Sequence, residues 1–365
     1  MMKKDMKKIA FCITCMNRLF HIQKTLLNNI EDNFLPEDVE FILLDYNSTD
    51  GLEDWVKTLR EYIDKNILTY YKATTPQYYN RSHSRNMVFR LANSEIVCNL
   101  DADNYLGKGF ADYIIKEFKN SKERIFITPI LKNRDVFGRF CAYRDDFMHI
   151  KGYNESLSGY GMEDIDLFDR LFKSGLQRRT FINPNYYKVI QHSDKERVSQ
   201  EYCYKNFTSA YLAYLTPYSV KFLVLYRDFS CEFGYLTNNF LCNYNNTKKH
   251  SNHIDFFFDP VNRIILESQL NTGKWFIVDD KIKIVLNDEG IEFHKDALAI
   301  EYRGLRFHKV TDKEVSAQFV RDLTDAKNFE IVTNARRNNP SINSEGFGKG
   351  IVYQNFDYRG KIILD

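Results

Sequence analysis

The first two hundred residues alternate between two kinds of apolar spacing. "KIAFCITCM" and "VEFILLDY" are continuous apolar runs, as expected of strands buried on both faces. Between them, "HIQKTLLNNIED" places Ile22, Leu26, Leu27 and Ile30 at helical spacing. The alternation continues: "GLEDWVKTLREYID" reads as helix, "ILTYYKA" as a short strand and "SHSRNMVFRLAN" as helix. "EIVCNLDADN" reads as a strand ending in acids, "GFADYIIKEFKN" as helix and "ERIFITPIL" as strand. Such alternation predicts an α/β fold with a mostly parallel sheet and helices on both faces. Ligands in these sheets bind beyond the carboxyl ends of the strands. Asn17, Asp45 and the pair Asp101/Asp103 all fall at such ends, which points to one shared site.

From about residue 200 the pattern changes. "QEYCYKNFTSAYLAYL" reads as helical and opens a helical segment of about 200–240. Beyond about 253, short strand-like runs dominate: "KWFIV", "KIKIVL", "IEFH", "LAIEYRGLRFHKV", "FEIVT", "GIVYQNF" and "KIILD". Turns are expected at Asp279-Asp280, Asp288-Glu289-Gly290 and Arg303-Gly304. These runs predict a smaller β-rich C-terminal domain, a sandwich or open barrel. The polar stretch "NYNNTKKHSNH" suits a boundary, so the expected domains are 1–245 and 246–365. "NNPSINSEGFGKG" reads as a long polar loop.

Composition narrows the function classes. The chain has 365 residues, enough for two domains with a substantial core. Lys and Arg number 51 against 49 Asp and Glu, a formal charge of +2, so no global basic field draws nucleic acid. The 24 Tyr and 29 Phe suit a core and also sugar-binding faces. The basic start is followed by a short apolar run ending at Asn17-Arg18, so no secretory signal is expected. Pro217 and Lys221 interrupt the most apolar later stretch, so no membrane span is expected there. Seven cysteines, an odd number, fit a reducing cytoplasm better than a disulfide framework. Cys12 and Cys15 have CxxC spacing, but they sit in an apparent strand and lack a second such pair.

Two acidic clusters carry the chemistry. In "NLDADN", Asp101 and Asp103 point the same way if extended backbone persists, and like charges so placed call for a cation or a proton. Oxygen ligands suit Mg²⁺ or Mn²⁺. Just upstream, in "YYNRSHSRN", Arg81 and Arg85 suit either phosphate oxygens or surface ion pairs. His192, in "VIQHSD" after an expected strand, is either structural or a nitrogen ligand, which would favour Mn²⁺. The second cluster, "SGYGMEDIDLFDR", sets Glu163, Asp164, Asp166 and Asp169 after Gly159 and Gly161. It reads either as an acidic first helical turn or as a general base with neighbours that position substrate.

Taken in order, these motifs resemble those of GT-A glycosyltransferases of the family 2 type and their β-1,4-galactosyltransferase-like relatives. "FCITCMNRLFHI" resembles the opening strand and "NR" turn of the galactosyltransferases, which places Asn17 and Arg18 at the nucleotide. "ILLDYNSTDG" is similar to the family 2 "VVDDGSTDG", with Asp45 at the uracil-binding acid and Tyr46 in place of a second acid. "YYNRSHSRN" combines the "FNR" and "RN" motifs, and "NLDADN" matches the DxD strand. "GYGMEDIDLFDRL" is similar to "GWGGEDDDIFNRL", with Tyr160 for Trp and Met162 for Gly. The resemblance covers roughly residues 8–195 and implies a Rossmann-like GT-A fold there.

What it implies for the site follows residue by residue. Asp164 is the base that deprotonates the acceptor hydroxyl. Glu163, Tyr160 and Gly161 meet donor sugar or acceptor, and Asp166 either binds acceptor or supports its helix. Asp103 and His192 hold Mn²⁺ or Mg²⁺, Asp101 contacts ribose or metal, and Arg81 and Arg85 serve the donor nucleotide. Gly159 and Gly161 imply a mobile loop, and Asp169 is structural.

The expected activity is inverting, metal-dependent transfer of a hexose or N-acetylhexosamine from a UDP-sugar, with galactose or N-acetylgalactosamine first. The acceptor would be a glycan or lipid-linked saccharide of a bacterial surface polysaccharide or lipooligosaccharide. The location would be cytoplasmic, with room for peripheral attachment at the inner face of the membrane and for a homo-oligomer through the C-terminal domain. The rivals are a nucleotidyltransferase-like phosphoryl enzyme, disfavoured because "CITCMNRLF" lacks a glycine-rich phosphate loop, and a non-catalytic carbohydrate-binding protein.

Overall fold

A computed structural model describes residues 6–130, 134–216, 218–238, 264–266, 270–286, 289–338 and 341–365. The chain forms two compact units. One comprises Met1–Ser156, Glu163–Gln191 and Ser341–Asp365; the other comprises Leu157–Met162 and His192–Pro340. The expected break at 245/246 lies outside the described residues; the chain enters the second unit at Leu157 and again at His192.

The first unit opens β1 (Ile9–Cys15), α1 (Leu19–Asn33), β2 (Val39–Tyr46), α2 (Leu52–Lys57), α3 (Arg60–Asp64) and β3 (Leu68–Ala73). It continues through α4 (Arg81–Leu91), β4 (Ile96–Asn99), α5 (Phe110–Asn120), β5 (Ile125–Pro129), β6 (Cys141–Tyr143) and α6 (Arg144–His149). After an excursion into the second unit come α7 (Glu163–Lys173) and β7 (Gln177–Phe181). Every residue of β1 is buried, as its unbroken apolar run requires. Strands β3, β2, β1 and β4 are parallel neighbours, with Cys15 opposite Asp45 and Asp45 opposite Lys72.

Two strands, β6 and the late strand Gly350–Gln354, run against the direction of the other seven described strands, so the sheet is mixed. β6 runs antiparallel between β4 and β5, and β7 pairs parallel with β5. The run before His192 is not a strand: among the described residues it makes a single bridge, Val189 to Asn104.

The second unit carries α8 (Asp194–Val198), α9 (Tyr202–Asn206), β8 (Phe207–Thr216), β9 (Ser219–Tyr226), β10 (Ser230–Asn238) and β11 (Ile264–Leu266). β12 (Asn271–Val278), β13 (Lys281–Leu286), β14 (Glu289–His294), β15 (Ala299–Tyr302) and β16 (Leu305–Lys309) precede α10 (Lys313–Asn338). The expected helical segment at 200–240 is thus mostly strand. "FTSAYLAYLT" is rich in aromatic and β-branched residues, and its faces alternate: Ala210 and Leu212 enter one core, Tyr211 and Ala213 another. Conversely "FEIVT", expected as strand, lies inside α10, where Phe329 and Val332 fall three apart and are both buried.

The sheet of the second unit is antiparallel, in the order β14-β13-β12-β10-β9-β8-β16-β15. Ile291 of β14 and Ile300 of β15, at opposite ends of that order, join one core, so the sheet curls towards an open barrel. Trp275 belongs to this core, and its Nε1 donates to the Tyr226 carbonyl at 2.8 Å. Its other face packs Phe222 and Val224 on Phe319 and Leu323 of α10.

The chain then returns to the first unit. β17 (Gly350–Gln354) pairs antiparallel with β3, and β18 (Asp357–Leu364) pairs with β17. These are the runs "GIVYQNF" and "KIILD", expected in the C-terminal domain.

Candidate active site

Three strand ends furnish the first half of the site. Beyond β1, Asn17 adopts φ +54°, and its Oδ1 accepts from Thr49 N at 2.7 Å. Asn17 N donates to Ser48 Oγ at 3.0 Å, and Ser48 N donates to Asp45 Oδ1 at 2.7 Å. Arg18 follows, and its carbonyl receives the amides of His21 and Ile22 as α1 begins.

Asp45 is fully buried, and its Oδ2 accepts from Tyr70 OH and Lys72 Nζ, both at 2.8 Å. Ser48, Tyr70 and Lys72 thus hold the carboxylate expected at uracil from three sides. Lys72 is the residue that sequence reading missed. Period-two alternation along "LTYYKA" sets it on the face of Tyr70, opposite Asp45 in register. The departure at Tyr46 also has a structural partner, because its OH lies 2.7 Å from His83 Nδ1.

The second half is centred on Arg85 in α4. Its side chain is 4% exposed. Nη1 donates to Asp164 Oδ1 and Nη2 to Asp101 Oδ1, each at 3.0 Å, and Glu163 Oε1 lies 3.7 Å from Nη1. The guanidinium stacks over Tyr153 at 5.3 Å, and Tyr153 OH donates to Asp164 Oδ1 at 3.3 Å. The structure thus gathers Asp101 and the adjacent acids Glu163 and Asp164, from distant parts of the sequence, around the buried Arg85 guanidinium. Arg85, expected at phosphate, instead neutralises carboxylates.

Burial pushes the Asp164 carboxyl up to about 7; the Arg85 charge opposes this, while Glu163 and Asp101 reinforce it. Gly138 closes the floor, since a Cβ there would lie 3.0 Å from Arg85 Nη2, 3.1 Å from Asp164 Oδ2 and 3.3 Å from Asp101 Oδ2. No sequence signal marked it, because it falls in an irregular stretch between a 3₁₀ turn at Arg134–Val136 and β6.

The two DxD acids do not share a direction. Strand β4 ends at Asn99, and Asn104 N donates to the Asp101 carbonyl at 3.0 Å, so the motif is a turn. Extended alternation therefore stops before it. Asp101 turns to Arg85, while Asp103 Oδ1 accepts from Asn104 Nδ2 at 2.7 Å. The Asp103 carbonyl also accepts from Ile190 N at 2.8 Å. His192 belongs to the second unit, where its Nδ1 lies 3.3 Å from the Ser193 carbonyl. Among the described residues, no group of three or more His, Cys, Asp or Glu is gathered to hold a metal.

The remaining candidates separate into support and contact. Asp166 accepts from Arg170 Nε at 2.9 Å, and Arg170 also reaches the Ile150 carbonyl, so Asp166 supports its helix. Asp169 pairs with Lys173 at 3.0 Å. Arg81 opens α4 and lies over the Tyr79 ring at 5.7 Å.

In the second unit, Tyr160 N donates to Thr324 Oγ1 at 3.2 Å, and Tyr160 OH accepts from Arg197 at 3.3 Å. Asn328 Nδ2 donates to the carbonyls of Ser158 and Gly161 at 3.1 and 2.9 Å. Gly161 has φ +100°, and a Cβ there would lie 2.0 Å from Asp325 Oδ1. The glycines thus serve a close pass of this segment along α10, to which it is tied, rather than a free loop.

Residues 10–175 match the family model for glycosyl transferase family 2. This segment is a family 2 glycosyltransferase domain. Its mixed α/β sheet is of the GT-A class, followed by a β-rich second unit.

Several solved structures resemble the chain. A mannosyltransferase from Pyrobaculum calidifontis, in complex with GDP-Man and Mn²⁺, is 17% identical with a TM-score of 0.42. The alignment covers 49% of this chain and 56% of that one. TarS residues 1–349 from S. aureus, in complex with UDP-GlcNAc, is 15% identical with a TM-score of 0.45, covering 53% of this chain and 61% of that one. Glucosyl-3-phosphoglycerate synthase from Mycobacterium tuberculosis, in complex with Mn²⁺, UDP and phosphoglyceric acid, is 14% identical with a TM-score of 0.38, covering 52% and 73%. The chain therefore spans less than two thirds of the first two. Among the described residues, no helix of the chain is long and apolar enough to cross a membrane.

Proposed function

We propose that the family 2 domain transfers a sugar from a UDP-sugar to an acceptor hydroxyl, with Asp164 as the general base. One observation carries this reading: a carboxyl poised at about 7 and held by Arg85, which also grips Asp101 of the DxD turn. A sugar hydroxyl is a weak nucleophile, and a positioned base contributes roughly 10²–10⁴-fold. Oδ1 of Asp164 is occupied by Arg85 and Tyr153, which leaves Oδ2 to take the proton. The acceptor oxygen forms its bond to the anomeric carbon as the bond to the diphosphate breaks, and that electron pair leaves with UDP. Attack opposite the leaving group inverts the anomeric centre.

The donor side is read as follows. Arg81, at the opening turn of α4, pairs with the diphosphate. Asn17, Arg18 and the Asp45–Lys72 pair shape the wall that meets the nucleoside, and Glu163, Tyr160 and Gly161 meet donor sugar or acceptor. Asp103, with a hard oxygen donor, would hold Mn²⁺ or Mg²⁺, while the nitrogen ligand expected at His192 belongs to the second unit. An ion held there would supply positive charge against the departing diphosphate.

The galactosyltransferase-like "NR" and "GYGMED" segments favour galactose or N-acetylgalactosamine as the sugar. A glycan or lipid-linked saccharide of a bacterial surface polysaccharide or lipooligosaccharide, glycosylated on the cytoplasmic side, is the acceptor class. The test is Asp164→Asn. Transfer should fall about 10²–10⁴-fold, while stabilisation of the fold by UDP with Mn²⁺ stays. Unchanged transfer overturns the base assignment.

A further inference from the structure

Arg139 has no exposed surface, yet among the described residues its hydrogen bonds go only to oxygens of neutral groups. It donates to the Tyr186 and Tyr105 carbonyls and, at 2.8 Å, to Asn104 Oδ1. Its guanidinium lies 5.6 Å from the Phe110 ring centre. Burial pulls this guanidinium down from its usual range, and Asp101 and Asp103 are among the groups that pull it back. A charge buried without a directly paired anion costs stability, which its hydrogen bonds offset only in part.

The Arg139 geometry serves the next side chain. Arginine can only donate, so Asn104 must turn its Oδ1 to Arg139 and its Nδ2 away. That Nδ2 donates to Asp103 Oδ1 at 2.7 Å and to the Asp135 carbonyl at 3.3 Å. The Asn104 backbone is fixed too, its amide on the Asp101 carbonyl and its carbonyl on Asn29 Nδ2 at 2.9 Å. We propose that Arg139 is a positioning residue that sets the Asp103 carboxylate through the Asn104 amide, so that Asp103 is held ready for the divalent cation. The inference rests on the metal reading of Asp103 given above.

The relay is tested by equilibrium Mn²⁺ binding in the presence of UDP, followed through the paramagnetic resonance of free Mn²⁺, alongside thermal melting. Asn104→Ala and Arg139→Met should each weaken Mn²⁺ about 10–100-fold, as loss of groups that orient a ligand does. Arg139→Lys, which still presents a donor to Asn104, should stay closer to the parent protein. Folded Asn104→Ala and Arg139→Met with parental Mn²⁺ affinity, beside an Asp103→Asn that has lost it, overturn the relay alone. Parental affinity in Asp103→Asn overturns the metal assignment and the relay with it. If Asn104→Ala fails to fold, Arg139→Met decides.

Discussion

Arg85 Nη1 stands 3.0 Å from Asp164 Oδ1. The same guanidinium holds Asp101 at 3.0 Å through Nη2, so one buried cation joins the proposed base to the DxD turn. Neutralising it leaves three crowded carboxylates. Arg85→Met should therefore raise the Asp164 carboxyl further and move the acidic limb of kcat/KM to higher pH. Each unit of that shift removes about tenfold of the activity on the acid side of the limb. Arg85→Lys should restore part of it. A pH–rate profile that stays in place would break the link between the two residues.

The parent protein has its own pH signature. Asp164 must be ionised to accept a proton, and burial pushes it up to about 7. Activity should climb about tenfold per pH unit below that value and level off above it. Initial rates at low donor concentration from pH 5 to 8, checked against stability of the fold, read this limb. The limb should vanish in Asp164→Asn.

Gly138 offers a steric test of the same cluster. A methyl group there would sit within 3.3 Å of Arg85, Asp164 and Asp101. Gly138→Ala should cut kcat about tenfold or more, because small displacements of reacting groups are costly. Overpacking should cost only about 1–3 kcal/mol of stability. Steady-state kinetics and denaturant unfolding on the same variant separate the two effects.

The Asp45–Lys72 pair governs stability more than rate. Lys72→Met leaves Asp45 buried without its cation, which should cost about 3–5 kcal/mol. The double variant with Asp45→Asn should recover much of the loss. Urea unfolding of both single variants and the double measures the coupling.

How much could be read beforehand depended on whether a signal was local. "VEFILLDY" became β2 residue for residue, because a doubly buried strand writes its burial into every position. The acids of α7 and the DxD turn were visible for the same reason. Arg85 could be picked out but not its partners, since the contact with Asp164 spans 79 positions and depends on tertiary folding. The DxD acids were read as aligned because nothing in "NLDADN" says that the strand stops at Asn99. "FEIVT" failed because five residues cannot separate a strand from one turn and a half of a long helix. Lys72 and Arg139 were overlooked because a buried cation leaves no mark in an apolar pattern.

The pairing of β17 with β3 has a consequence for synthesis. A ribosome releases the whole second unit before it makes the two strands that finish the first sheet. Until residues 350–364 emerge, β3 offers a bare row of amides and carbonyls to any neighbouring chain. The order of translation therefore leaves this edge as the last part of the first sheet to be covered.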